Sequence, residues 1–421
     1  MSLKLVHAAD LHIDSPLRGL VRYQSAPVAE IRSATRRAFE NLIELCLQEQ
    51  AALLLLAGDV FDGNWRDYST GLFFASQLVR LREAGVRVVT LRGNHDAKSQ
   101  ISRELRLPEH VRELSARRPE SVVFEDLGIA VHGQSFAARE VPEDLAARYP
   151  APLDGLLNIG LLHTSLEGRP GHDPYAPTRL DVLRNKGYDY WALGHVHTRE
   201  VVCEEPLVVF PGNLQGRHAR ELGAKGATVI TVEGGRIRDA RHEVLDAVRW
   251  ALCEVDASGA ADAYDVVELA RAALAQQVAQ AGGRLLAARL LLSGRSRAHG
   301  QLVRDPEKWT AELRNCALDV GEGAIWLEQV QLRTRGPEDA ASLAERRDAI
   351  GQLVHALDAL GRDPLALREL GGCLAELKRA LPEEASEGED GVRLDDTEFL
   401  ASALPDVREL LLARLLTGDE A

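Results

Sequence analysis

Five short polar clusters carry the side chains of this 421-residue chain that could act together chemically. They are Asp10-Leu11-His12, Gly58-Asp59-Val60-Phe61-Asp62, Gly93-Asn94-His95-Asp96, an isolated His163, and Gly194-His195-Val196-His197. Neutral imidazole and carboxylate suit borderline divalent ions such as Mn, Fe or Zn, and glycine lets turns approach closely, so the donor set points to a dinuclear metal site. Asp10 and His12, two residues apart, would lie on the same side of an extended segment and reach one ion. Asp59 offers two oxygens that could bridge two ions, Asn94 an amide oxygen, and His163, His195 and His197 imidazoles, while His95 need not bind metal. Each piece alone has a bland reading. An Asp-x-His is commonly surface decoration, a Gly-Asp step only a turn, and a histidine after a strand a capped or core residue. All five in one chain, each at the end of an apolar run, leave chance a poor explanation.

The elements that must position these clusters are readable from periodicity. Apolar runs at residues 3–9, 53–57, 86–91, 121–124, 129–132, 156–162, 188–193, 207–210 and 227–232 read as buried strands, and residues 28–49 and 69–84 as amphipathic helices. This predicts a layered α/β domain over residues 1–245, with the clusters outside the carboxyl ends of strands, where ligand sites of such sheets lie. Residues 246–336 read as a small α+β domain: strand 249–255, helix 260–281, strand 284–293, helix 306–316, strand 324–334. Residues 337–421 are helical by period, broken at 361–364 and by an acidic segment at 383–396 that reads as a solvated loop, with a last amphipathic helix over 395–416.

Composition narrows the class. Hydrophobic content of 45% and charged content of 27% are those of an ordinary soluble globular protein. No stretch approaches the roughly 18 apolar residues of a membrane span. Met1 leads directly into an apolar strand without a cleavage site. Cys46, Cys203, Cys253, Cys316 and Cys373 are scattered and odd in number, so neither a disulfide framework nor a zinc ribbon is indicated. The expectation is a cytoplasmic protein without a membrane partner. The net charge of -14 is unevenly spread: residues 1–250 hold 31 Lys+Arg and 33 Asp+Glu, a net of -2, which leaves -12 for the rest. Two divalent ions would add four positive charges to the first part, so that part need not repel a polyanion.

The order Asp10-x-His12, Gly58-Asp59-x-x-Asp62, Gly93-Asn94-His95-Asp96, His163, Gly194-His195-x-His197 resembles the calcineurin-like metallophosphoesterase signature. The segments from His7 to Leu17 and from Pro211 to His218 resemble those of bacterial DNA-repair exonucleases of the YhaO type; the nuclease subunit of the SbcCD complex is similar too. The resemblance implies a two-sheet α/β sandwich flanked by helices, followed by a small α+β capping domain and a helical tail. It places one ion on Asp10, His12, Asp59 and His197 and the second on Asp59, Asn94, His163 and His195. Mn is the implied ion, with Fe or Zn as alternatives. His95 becomes the candidate proton donor, with Asp62 hydrogen-bonded to its imidazole, although some relatives carry histidine at the position of Asp62. The implied activity is a DNA nuclease, an exonuclease in repair. The implied partners are DNA, an SMC-like coiled-coil ATPase and a second copy of the chain; the tail after Pro337 is the candidate docking element for the ATPase, because amphipathic helices without enough core of their own seek a groove.

His172 and Tyr175, in the stretch 168–177, form either a substrate loop or an ordinary one. Arg217, His218, Arg220 and Lys225 form a basic cluster that would either contact phosphates or be a solvated turn. A phosphoesterase acting on a substrate other than DNA and a catalytically silent interaction scaffold are the rival readings. Gly63 and Asn64 stand where related protein phosphatases carry an arginine, which disfavours a phosphatase, and retention of all seven ligand-type residues disfavours a scaffold.

Overall fold

A computed structural model describes residues 2–15, 27–62, 68–99, 105–168, 175–338, 340–381 and 391–416. Expectations that fall on Gly63, Asn64, His172 and the acidic residues 383–390 lie outside these. The chain divides into two compact units, residues 1–251 with 281–288, and residues 252–280 with 289–421.

The first unit contains β1 (Ser2–Ala8), β2 (Leu53–Leu56), β3 (Arg87–Thr90), β4 (Val111–Glu113), β5 (Glu120–Phe124), β6 (Ile129–Gly133), β7 (Leu157–His163), β8 (Tyr190–Gly194), β9 (Glu200–Glu204), β10 (Leu207–Phe210), β11 (Gly226–Glu233) and β12 (Arg236–Val244). They form two six-stranded sheets, in the orders β12-β11-β1-β2-β3-β4 and β5-β6-β7-β8-β10-β9. β1 to β4 are parallel to one another, as are β6, β7, β8 and β10.

The leucines of β2 show how the layers form. All four are fully buried, and because successive side chains leave a strand on opposite faces they serve two cores. Leu54 and Leu56 join Phe39, Leu42, Phe74 and Leu78 from helices α1 (Val28–Gln48) and α2 (Tyr68–Glu83). Leu53 and Leu55 join Ile129, Val131, Ile159, Leu161 and Tyr190 of the second sheet. Trp191, Leu162 and Phe210 point the other way from that sheet into a third cluster with Tyr149 and Tyr188. This is the two-sheet sandwich with flanking helices.

A third sheet is ordered β13 (Val248–Asp256), β14 (Leu285–Arg295), β15 (Ile325–Arg335), and the helices Ala263–Ala281 and Pro306–Gly321 alternate with its strands along the chain. The helical tail follows, with small cores of its own made by Leu343, Val354 and Leu412 and by Leu367, Leu400 and Leu404. The break expected at 361–364 is a cap: Asp363 accepts the amides of Leu365 and Ala366, and Pro364 starts the next helix.

Periodicity missed β4, β9 and β12 and the six-residue helices Leu180–Asn185 and His299–Arg304. β12 reads Arg-Ile-Arg-Asp-Ala-Arg-His-Glu-Val and is half exposed at the sheet edge, so no apolar run marks it. The helix expected over 306–316 continues to Gly321. Among the described residues no helix is long and apolar enough to cross a membrane.

Phe39 is fully buried and stacks on Phe74 with ring centroids 5.2 Å apart. Phe39→Ala should therefore destabilise the protein by about 3–5 kcal/mol in urea unfolding; a loss below about 1 kcal/mol would show that α1 is not anchored through this ring.

Candidate metal centre

The five clusters follow the carboxyl ends of β1, β2, β3, β7 and β8, and the folding of the two sheets brings them to one place. The backbone there is unusual. Asp10 (φ 53°), His12 (φ 44°), Asp59 (φ 52°) and His195 (φ 99°) all lie in the left-handed region, which costs non-glycine residues roughly 1–3 kcal/mol each and persists only where surrounding structure holds it. Here the holding comes from continued pairing beyond β1 and β2: the amides of Asp10, His12 and Ile13 donate to the carbonyls of Gly58, Asp59 and Val60 at 3.0, 3.1 and 3.0 Å. The extended geometry expected for Asp10-x-His12 is thus corrected. The two side chains share a destination because two left-handed residues turn the chain, not because a pleat alternates.

Among the described residues three groups of ligand-type atoms result, each within 4.8 Å: Asp10, His12 and His197; Asp59, His163 and His195; and His12, Asp62 and His95. In the first, His12 Nε2 lies 3.3 Å from His197 Nε2, and His197 Nε2 lies 3.7 Å from Asp10 Oδ1. In the second, His163 Nε2 lies 3.4 Å from Asp59 Oδ2 and 2.9 Å from Asn94 Oδ1. With nitrogen–metal distances of about 2.0–2.1 Å, two atoms on one ion stand up to about 4 Å apart, and the four separations, from 2.9 to 3.7 Å, fall within that reach. Among the described residues His12 Nδ1 is buried without a hydrogen-bond partner, and its Nε2 faces the His197 Nε2, which a cation between the two Nε2 atoms would satisfy. Asp10, His12, Asp59, Asn94, His163 and His195 are buried; the His197 side chain keeps 20% exposure. The residues present therefore fit a pair of divalent ions.

The surrounding groups aim these atoms. Ala57 O lies 2.9 Å from His163 Nδ1, and a Glu221 oxygen 2.7 Å from His197 Nδ1, which leaves each Nε2 for the site. Asp59 Oδ1 accepts the His95 amide at 2.9 Å, and His195 N donates to Asp10 at 2.9 Å. Asp96 accepts the amides of Val60, Phe61 and Gly93, tying the Asp59 loop to the Asn94 turn. Gly93 is required by close approach: a Cβ there would stand 2.3 Å from Asp59 Oδ1 and 2.8 Å from His163 Nε2. Burial pulls the His163 pKa down, but the Asp59 carboxylate beside it overrides this and raises the ring above its ordinary value, the behaviour of a site that holds positive charge.

His95 and Asp62 meet, with Nδ1 2.7 Å from Oδ1. Ser15 Oγ donates to the other Asp62 oxygen at 2.6 Å. Burial lowers the His95 pKa, and the hydrogen bond to Asp62 with the charges of Asp59 and Asp62 more than reverses that, so the imidazole sits above its ordinary value. Its side chain is 36% exposed, so the pair is open to solvent.

The remaining candidates are placed differently. Tyr175 is buried in the third core cluster, edge-on to His195 with ring centroids 5.5 Å apart. Of the basic cluster, His218 keeps 56% exposure and Arg220 is exposed. Arg217 and Lys225 turn inward: Lys225 Nζ donates to His197 O at 2.8 Å, and Arg217 lies 2.9 Å from Glu221 and 3.6 Å from Asp62. Glu221 and Asp96 escaped sequence reasoning. Asp96 stands inside a cluster already singled out, and Glu221 three residues beyond the Pro211–His218 segment, so neither lacked a nearby signal; what was missing was a reason to assign them a partner.

Residues 3–199 match the family model described as calcineurin-like phosphoesterase, a stretch that includes all seven ligand-type residues, and residues 250–335 match the middle domain of the metallophosphoesterase YhaO. The chain is similar to the uncharacterized metallophosphoesterase YhaO of Bacillus subtilis, at 39% identity over 265 residues, 61% of this chain and 64% of that protein. It is also similar to the DNA double-strand break repair protein Mre11 of Methanopyrus kandleri, at 27% over 234 residues (50% and 48% of the two chains), and of Sulfurisphaera tokodaii, at 25% over 211 residues (47% and 53%). The matched stretches thus span between about half and just under two thirds of these relatives' lengths. With the ligand-type residues at the strand ends, residues 3–199 are a calcineurin-like phosphoesterase domain, followed by a stretch that matches the YhaO middle domain.

Proposed function

We propose that the chain is a dinuclear-metal DNA nuclease, an exonuclease acting in repair. The observation that carries this reading is the pair of triads, Asp10/His12/His197 and Asp59/His163/His195, buried except for His197, with the His95–Asp62 pair beside them. Asp10, His12, Asp59 and His197 would hold one ion and Asp59, Asn94, His163 and His195 the other, with Asp59 shared; Mn is the ion we assign. When bound, two divalent ions polarise the phosphoryl group and make water nucleophilic near neutral pH. The chain's own residues do the rest. His95, with Nδ1 engaged by Asp62, has Nε2 left to donate a proton to the leaving oxygen as its bond to phosphorus breaks and water's oxygen bonds on the other side. Asp62 holds the ring in that tautomer and favours its protonated form.

DNA as substrate is supported by the two relatives named as double-strand break repair proteins and by the near-neutral charge of residues 1–250, which two ions would make positive. The tail after Pro337 is the segment we assign to an SMC-like ATPase partner, a docking supported by exposed Leu365, Leu377, Val407 and Leu415.

End-labelled linear DNA should be degraded in Mn and spared after chelation. Asp59→Ala should abolish cleavage and weaken Mn uptake, whereas His95→Ala should lower kcat about 10²- to 10⁴-fold with two ions still bound. DNA left intact by a chain that hydrolyses a simple phosphodiester would move the substrate elsewhere. Because the acid works protonated, activity should fall as pH rises through the His95 pKa. Asp62→Asn removes the group that raises that pKa, so the alkaline limb of kcat/KM should move to lower pH; an unmoved limb would remove His95 from the role. Deleting residues 338–421 should abolish ATPase binding, and retained binding would defeat the tail assignment.

A further inference from the structure

Five side chains from four separate stretches of the chain run head to tail across the site. His95 Nδ1 lies 2.7 Å from Asp62 Oδ1, Asp62 Oδ2 is 3.6 Å from Arg217 Nη1, Arg217 Nη2 is 2.9 Å from Glu221 Oε1, and Glu221 Oε1 is 2.7 Å from His197 Nδ1. At one end stands the candidate proton donor, at the other a ligand of the first ion. Arg217 is the member that spans the gap between the two carboxylates.

An arginine beside a phosphodiesterase site invites the reading that it grips the substrate phosphate. Its surroundings say otherwise. The Arg217 side chain is 13% exposed, against 36% for His95, and its guanidinium already faces two carboxylates. Glu221, 6% exposed, is saturated: besides His197 and the guanidinium it accepts the Arg217 amide at 2.8 Å and Asn213 Nδ2 at 2.9 Å. A planar fork with fixed donors can hold two carboxylates at a set separation, which a single ammonium cannot.

We propose that Arg217 is a positioning residue that couples the metal ligand His197 to the proton-donating pair Asp62–His95, with Glu221 as its anchor. This rests on the dinuclear phosphodiesterase reading above. Loss of Glu221 charge frees the His197 ring and leaves the Arg217 cation beside it, which disfavours a divalent ion at His197. Loss of Arg217 leaves Glu221 and Asp62 without the cation that balances them, and both rings lose their common support.

Calorimetric titration of the full chain with Mn tests this without relying on turnover. The wild type should take up two ions; in Glu221→Gln one of them should bind about 10- to 100-fold more weakly while the other is unchanged. Arg217→Met and the more conservative Arg217→Lys should weaken the same ion, and the double variant Glu221→Gln/Arg217→Met should be no weaker than Glu221→Gln alone, because the two act as one unit. Thermal unfolding confirms that the variants fold, and Arg217→Lys keeps the comparison if Arg217→Met does not. Hydrolysis of bis(p-nitrophenyl) phosphate should show kcat lowered in Arg217→Lys with KM within about twofold. Unchanged Mn affinity in the single variants, independent losses that multiply in the double variant, or a raised KM at unchanged kcat would each overturn the proposal, the last by returning Arg217 to substrate binding. A wild type that binds fewer than two ions would defeat the dinuclear reading and the proposal with it, whereas two ions bound without any hydrolysis would defeat the function alone.

Discussion

Asp10 and Asp59 are almost wholly removed from water, and an ionised carboxylate buried without compensation is prohibitively unstable. The organisation of the first unit follows from supplying that compensation. Backbone amides of His95 and His195 donate to the two carboxylates, and imidazoles of His163 and His197 stand 3.4 and 3.7 Å from them. His12 brings a further imidazole, its Nε2 3.3 Å from that of His197, a spacing that a shared cation would satisfy. Carboxylates that need cations and lone pairs that need an electrophile meet the same requirement, which a pair of divalent ions satisfies.

Holding such an arrangement demands a backbone that would not adopt it alone. The left-handed residues Asp10, His12 and Asp59 are kept in place because the hydrogen bonding of β1 with β2 continues past the strand ends, and His195 is held through its amide on Asp10. That continuation requires immovable strands. The buried leucines of β2, shared between the helix-covered core and the core between the sheets, make them so. Asp96 then fastens the third cluster to the second through three amides. Strain at the site is thus carried by packing well away from it.

The polar groups one step out from the ligands differ in what they govern. Ala57 O and Glu221 set which nitrogen of His163 and His197 faces the centre, whereas Asp62 sets both the tautomer and the proton affinity of His95. Arg217 lies between the Glu221 and Asp62 carboxylates, so one cation stands between the carboxylate beside His197 and the carboxylate beside His95.

Much of this was legible in the linear order of residues. Strands β1, β2, β3, β7, β8, β10 and β11 announce themselves as apolar runs because they are buried on both faces, and the seven ligand-type residues stand directly after such runs because the sheets present their carboxyl ends together. The short or half-exposed elements, β4, β9 and β12, leave no such trace, since an edge strand facing solvent has no need of a continuous apolar stretch. What only the tertiary structure decided were the pairings between distant charges. Arg217 reads as part of a basic cluster, and nothing in its neighbourhood along the chain announces that its fork closes on Asp62, more than 150 residues earlier, or that Glu221 turns toward His197 rather than solvent. Residue type and local pattern determine which groups can bind metal or carry a proton; which charge answers which depends on distances that exist only once two sheets have packed face to face.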